Sequence, residues 1–274
     1  MHNSIEVVNQ SAPRGRFRVA LFDFDGTLSL IREGWQGVMI PMMVDVLRGT
    51  PKAEAPEDLE EFVRGLVART TGQQTIYQMM ELARQVAARG GDAADPTEYK
   101  RRYNGLLMER IGHRREGLRS GRIAPADMLV AGAVEMLSAL RERGIRLYCA
   151  SGTDEADMRE EAEMLGIAGF FDGGLYGAVD DLRRFSKAML IGRIIREHGL
   201  AGPHLVTFGD GYVEIENTKE AGGVAVGVAS DEARRKGVDA WKRARLIEAG
   251  ADVIVPDFRD AAALVGYLFA ESAP

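Results

Sequence analysis

Val19-Ala20-Leu21-Phe22-Asp23-Phe24-Asp25-Gly26-Thr27-Leu28 is the stretch from which the fold is read. Four apolar residues in a row, with no alternation of faces, read as a strand buried on both sides in a parallel sheet. Gly26 and Thr27 end the run. Asp23 and Asp25 therefore leave the sheet at a carboxyl end, where open α/β sheets place their ligands. One residue apart on an extended chain, the two carboxylates point the same way. Like charges crowded in this manner call for a cation between them, or a proton on one of them.

Working outward, the chain before this strand, residues 1–16, is polar, carries one proline and shows no period, and reads as a flexible N-terminal tail. After it, residues 29–126 lose every β-branched run and take up helical spacing. Leu59, Phe62, Val63, Leu66 and Val67 mark one helical face, and Ile76, Met79, Met80, Ala83 and Val86 mark another. Asp95-Pro96 reads as an N-cap with proline in the first helical position. An earlier helix, from about Trp35 to Leu47, contains Pro41 and is expected to kink or break there. Beyond residue 126 helices alternate with strands: helices over 133–143, 155–165, 186–198, 212–221, part of 231–249 and 259–269, and strands over 145–150, 204–208, 224–228 and 252–255. That alternation predicts right-handed βαβ units. The expected architecture is an α/β, Rossmann-like parallel sheet core flanked by helices, formed by 17–28 and 127–274. An all-helical domain, residues 29–126, is inserted after the first strand.

Composition narrows the function classes. Hydrophobic residues make up 46% of the 274-residue chain, enough to fill a core. A net charge of −6 argues against bulk binding of nucleic acid or a membrane surface. No apolar run approaches the roughly 20 residues that span a bilayer, and the start has no signal-peptide core. The single cysteine, Cys149, lies in an apolar run and reads as a buried small hydrophobe, which excludes a disulfide framework or a cysteine zinc site. A reducing, cytoplasmic setting is expected.

Three strand ends carry the chemistry. The first ends in Asp23 and Asp25, the second in Ser151-Gly152, and the third in Asp210, with Glu214 one helical turn on. Lys187 opens the helix between the second and third. A lysine there opposes the helix dipole and needs an anionic partner. Together these supply carboxylates for a hard cation, a hydroxyl donor, and a lysine for a phosphate.

In this order the residues resemble the four motifs of the haloacid dehalogenase-like hydrolases, in their phosphatase branch. Asp-Phe-Asp-Gly-Thr-Leu is similar to the first motif, Ser151 to the second-motif hydroxyl, and Phe185-Ser186-Lys187 to the third. Gly209-Asp210-Gly211-Tyr212-Val213-Glu214 is similar to the fourth, with Glu214 where Asp is commoner. Dehalogenases of the superfamily lack the second acid of the first motif, so Asp25 implies phosphate chemistry. The resemblance implies a Mg2+-dependent phosphatase of the phosphoglycolate phosphatase and β-phosphoglucomutase type, acting on a small phosphorylated metabolite through an aspartyl phosphate. Asp23 is the implied nucleophile and Asp25 the acid and base. The implied metal ligands are Asp23, the backbone carbonyl of Asp25, and Asp210, with Glu214 behind them holding a metal-bound water or Lys187. Ser151, Gly152, Lys187, Gly26 and Thr27 are expected at the phosphate, Thr27 by ordering the turn.

The insert of 29–126 resembles the family's C1 cap, the part that selects substrate, with Arg32, Glu33, Trp35 and Gln36 at its entry as candidate substrate contacts. Arg110, His113, Arg114, Arg115, Arg119 and Arg122 give its end a basic character, read either as a solvated face or as a second anion site. A phosphomutase is the main alternative activity, followed by a phosphonatase or a non-catalytic binding module. No nucleic-acid or membrane partner is expected, and the chain is expected as a monomer or homodimer.

Overall fold

The computed structural model describes residues 5–179 and 186–270. β2 (Val19–Phe22) is buried at all four positions, as the unbroken apolar run requires. It lies mid-sheet, parallel to β3 (Arg146–Asp154) on one side and to β5 (Leu205–Gly209) on the other. On one face Val19 and Leu21 pack with Leu190, Ile191 and Ile194 of α7 (Lys187–Glu197). On the other, Phe22 stacks on Phe208 with ring centroids 4.5 Å apart, and Phe258 meets it edge-on at 6.2 Å. A strand with large apolar neighbours on both faces has no solvent side, hence no polar alternation.

The sheet continues through β6 (Val224–Val228) and β7 (Val253–Val255) on the β5 side, and through β4 (Gly174–Ala178) on the β3 side. Among the described residues, and with Glu6–Val7 as β1, its seven strands run in the order β1-β7-β6-β5-β2-β3-β4, all parallel except β1. The chain passes outward from β2 through β3 to β4, then restarts at β5 on the other side. That reversal is the switch point at which such sheets leave a crevice. The crossovers are α5 (Ala133–Arg141), α6 (Glu155–Met164), α7, α8 (Tyr212–Glu220) and α9 (Ala240–Glu248), with α10 (Ala261–Phe269) closing the chain. Apart from α9, expected only as some part of 231–249, these bounds lie within two residues of those read from periodicity.

The chain divides into two compact units, one of residues 1–33 with 117–274, the other of residues 34–116. The second is all-helical: α1 (Gln36–Arg48), α2 (Pro56–Thr70), α3 (Thr75–Ala88) and most of α4 (Pro96–Arg119). Leu59, Val63, Leu66 and Val67 are buried in α2. Met39, Met42, Met43 and Met79 are buried too, while Met80 is 46% exposed. Asp95 receives Thr97 N at 2.8 Å, as an N-cap before Pro96 should. The basic end is partly spent on internal contacts: Arg115 is buried and Arg119 pairs with Glu160. No helix among the described residues is long and apolar enough to cross a membrane.

Four local expectations change. Of the tail expected over 1–16, Met1–Ser4 lie outside the described residues, but Glu6–Val7 form β1, antiparallel to β7. Two residues are too few to show a period. They are held by longer-range contacts, Arg243 on Glu6 and Asn9 on Asp252. β4 was not expected, because its glycines argue against a strand. A Cβ on Gly177 would lie 2.4 Å from Glu155 Cα, so close backbone approach explains that glycine. β3 runs four residues past Ala150, through a register shift. Finally, α1 is unbroken across Pro41. The proline is the sixth of thirteen residues and forfeits one bond, while six buried residues hold the helix in place.

Asp252 ties the β1 side of the sheet together. It is fully buried, both its oxygens lie 2.8 Å from Lys219 Nζ, Ala225 N donates to it at 2.9 Å, and Asn9 Nδ2 at 2.7 Å. Asp252→Ala strands those donors and is expected to cost about 3 kcal/mol of stability, the low end for a broken buried pair because Lys219 is partly exposed. Urea unfolding checks this, and a loss below ~1 kcal/mol would show the knot to be solvent-screened.

Candidate active site

The carboxyl ends of four neighbouring strands, β6, β5, β2 and β3, converge on one group of side chains. Asp23 follows directly from β2 and is 7% exposed. Its Oδ1 accepts a hydrogen bond from Lys187 Nζ at 2.5 Å. Lys187 is the first residue of α7, behind an N-cap in which Ser186 Oγ accepts from Met189 N at 3.1 Å. The same ammonium donates to Glu214 Oε2 at 2.8 Å. Glu214 in turn uses Oε1 to accept Gly211 N at 2.7 Å, which caps the start of α8. Both Glu214 oxygens are thus engaged, one by the helix start and one by Lys187. Burial drives the Lys187 ammonium toward its neutral form, but Asp23 and Glu214 outweigh this and raise its pKa.

Asp25 sits differently. Its Oδ2 accepts from Ser151 Oγ at 3.2 Å and from Thr153 Oγ1 at 2.9 Å. Its Oδ1 is buried and accepts no hydrogen bond among the described residues. Arg32 Nε lies 3.9 Å from that oxygen. Arg32 is itself fixed: Glu161, fully buried on α6, accepts its Nε at 3.0 Å and its Nη2 at 2.8 Å. Arg32 is therefore a buried neighbour of Asp25, paired with Glu161.

Asp210 follows β5. Its Oδ2 lies 2.7 Å from Lys242 Nζ, and Glu232 Oε1 lies 2.7 Å from the same ammonium. One oxygen each of Asp23, Asp210 and Glu214 fall within 4.8 Å of one another. Gly26, with φ +74°, lets the turn pass Asp210: a Cβ there would stand 2.2 Å from Asp210 Oδ2. The Gly26 amide donates to Ser29 O at 2.9 Å and so closes the turn. Thr27 is fully buried, and its Oγ1 makes no hydrogen bond among the described residues. Gly152 lies between Ser151 and Thr153 within β3, part-buried. Glu33 is a part-buried turn residue, Trp35 precedes α1, and Gln36 begins it, lining a groove with Ile40, Val44 and Arg64 in the helical unit.

Burial pushes the carboxyl of Asp23 well above the ordinary range, more than Lys187 pulls it down, with Glu214 and Asp210 pushing it further. Asp210 and Glu232 are raised in the same way, burial outweighing Lys242. Five carboxyl groups, those of Asp23, Asp25, Asp210, Glu214 and Glu232, stand against two ammoniums, and Arg32 is offset by Glu161. An all-oxygen donor set with excess negative charge is the chemistry that suits a hard divalent cation.

A family model for the haloacid dehalogenase-like hydrolases matches residues 17–222. The chain belongs to that family. Solved structures similar to this hydrolase include a predicted phosphoglycolate phosphatase from Haemophilus somnus (TM-score 0.60, 18% identity, 91% of this chain and 98% of that one). A predicted phosphatase from Clostridium acetobutylicum gives TM-score 0.59 at 17% identity, over 92% and 99% of the two chains. A family hydrolase from Deinococcus radiodurans, with bound phosphate and sodium, gives 0.55 at 18%, over 94% and 100%. These likenesses concern the fold. No curated protein matches the chain in sequence.

Sequence reasoning missed Thr153, Glu161, Glu232 and Lys242. A signal for Lys242 was present: like Lys187 it lies in the first turn of a helix, against the dipole. Thr153 stands two residues from Ser151 on an extended chain and so shares its face. Lys187→Met leaves Asp23 and Glu214 buried without their cation. The expected loss is about 3–5 kcal/mol of unfolding free energy in metal-free buffer, read by urea titration. A loss below about 1 kcal/mol would mean that water already screens the trio.

Proposed function

We propose that this hydrolase is a Mg2+-dependent phosphatase that releases phosphate from a small phosphorylated metabolite, with Asp23 as nucleophile and Asp25 as acid and base. The observation that carries this reading is the unlike fixing of two neighbouring aspartates. Asp23 is clasped by the Lys187 ammonium, which keeps a buried carboxylate in place. Asp25 is held by hydroxyls on one oxygen, and its other oxygen has no hydrogen-bond donor among the described residues. The first arrangement suits attack and the second suits a proton that comes and goes.

In the proposed reaction Asp23 attacks phosphorus while Asp25 gives its proton to the departing ester oxygen. An alcohol leaves and an aspartyl phosphate remains on residue 23. Asp25, now ionised, takes a proton from a water that attacks phosphorus. The bond to Asp23 breaks, phosphate departs, and both side chains regain their starting states. An ammonium has three protons. Lys187 gives one each to Asp23 and Glu214, leaving one for a phosphoryl oxygen. Glu214 thereby orients Lys187. Ser151 and Thr153 hold Asp25, with Arg32 beside it. Mg2+, held by Asp23, Asp210 and the backbone carbonyl of Asp25, would offset the charge that the carboxylates and the phosphoryl group bring together. The choice among esters is assigned to the helical unit, residues 34–116, whose sequence the hydrolytic steps do not use.

A screen for phosphate release over a panel of phosphorylated metabolites, with and without chelator, tests this. Mg2+-dependent release without a bisphosphate activator is expected, and a strict need for the activator would indicate a mutase. On the best substrate Asp23→Asn is expected to keep less than about a hundredth of kcat, a barrier rise of at least ~2.7 kcal/mol. Retention above that level would remove Asp23 as nucleophile.

A further inference from the structure

We propose that Lys242 is a built-in rival of the divalent cation for Asp210, held by Glu232, and that this lysine sets how tightly the site takes Mg2+. The inference rests on the reading above that Asp210 belongs to a metal site. It concerns two residues beyond the part of the chain that the family model matches, which ends at residue 222.

Lys242 is the third residue of α9, whose N-cap Asp239 accepts from the amides of Trp241 and Lys242. A cation in a first turn is disfavoured by the helix dipole, and this one is also withdrawn from water, at 11% side-chain exposure. Its position is explained by what it touches: Asp210 Oδ2 and Glu232 Oε1, each at 2.7 Å, and Ser230 Oγ at 3.3 Å. Ser230 gives its own proton to Gly26 O at 2.6 Å, so it can only accept from the lysine. The three protons of the ammonium are matched by three protein oxygens. None is left for a phosphoryl oxygen, in contrast to Lys187. Lys242 therefore acts on the carboxylates alone.

Its charge has a definite sign of effect. A positive group on a ligand oxygen stabilises the metal-free protein and repels an arriving cation. Glu232 acts in the opposite direction: it adds negative charge beside the site, and it offers the ammonium an anion to keep when Asp210 turns to the metal. Removing Lys242 should therefore tighten Mg2+ binding, and removing the charge of Glu232 should weaken it. A lysine that merely pinned α9 to the end of β5 would give weaker binding, or no change, in both variants.

Isothermal titration calorimetry of Mg2+ into the full chain tests this, using wild type, Lys242→Met and Glu232→Gln, with melting temperatures taken in chelator. Lys242→Met is expected to bind Mg2+ at least about 10-fold more tightly and Glu232→Gln about 10-fold more weakly, the usual scale for groups that act on a metal ligand. In chelator Lys242→Met is expected to melt below wild type, because Asp210 and Glu232 then face each other unpaired. Equal or weaker binding by Lys242→Met overturns the proposal. If that variant does not fold, Glu232→Gln decides alone, and equal or tighter binding overturns it. A wild type that takes up no Mg2+ would instead sink the metal-site reading on which the inference stands.

Discussion

The constraint on which this molecule turns is the gathering of carboxylates at the ends of buried parallel strands. β2 and β5 are apolar on both faces, so the chain can place polar groups only where the strands stop. Asp23 and Asp210 are the first residues past those ends, beside each other because β2 and β5 are neighbours in register. Burial alone would protonate such groups or unfold the sheet around them. Two lysines, each at the start of a helix on the same side of the sheet edge, relieve part of that strain. Lys187 takes Asp23 and Glu214, and Lys242 takes Asp210 and Glu232. The relief is partial: Asp23, Asp210 and Glu214 still bring one oxygen each within 4.8 Å of one another, a group that could hold a metal ion.

Much of this was legible in the sequence because it follows from short-range rules. Val19 to Phe22 has no alternation, and the strand is buried on both faces. Ser186-Lys187 at a helix start placed the lysine correctly, since a cation against the dipole wants an anion. The parts that were not legible depend on distant contacts. β1 is two residues long and held by Arg243 and β7, over two hundred residues away. β4 is disguised by glycines that the neighbouring elements require. Arg32 lies near Asp25 in sequence, but its pairing with Glu161, 129 residues on, has no local signal. Lys242 lay in a region read only as partly helical, with nothing local to say that Asp210 waits across the sheet edge.

The two aspartates of the first motif show how environment separates equal side chains. They are two residues apart, emerge from the same strand and share a face. One meets an ammonium, the other two hydroxyls and a guanidinium at the edge of reach. The turn thus gives equal side chains unlike surroundings. The glycine that follows serves the same end, because only a residue without Cβ lets the turn run within contact of Asp210.

The central claim is that phosphorus passes through residue 23. Rapid quenching during turnover of a reactive phosphate ester such as p-nitrophenyl phosphate, followed by borohydride reduction and peptide mass spectrometry, tests it directly. Reduction of an aspartyl phosphate converts that aspartate to homoserine. The account predicts homoserine at position 23 alone, and none in protein quenched without substrate. Homoserine at another aspartate, or an unreduced residue 23 in enzyme that is demonstrably turning over, would contradict it.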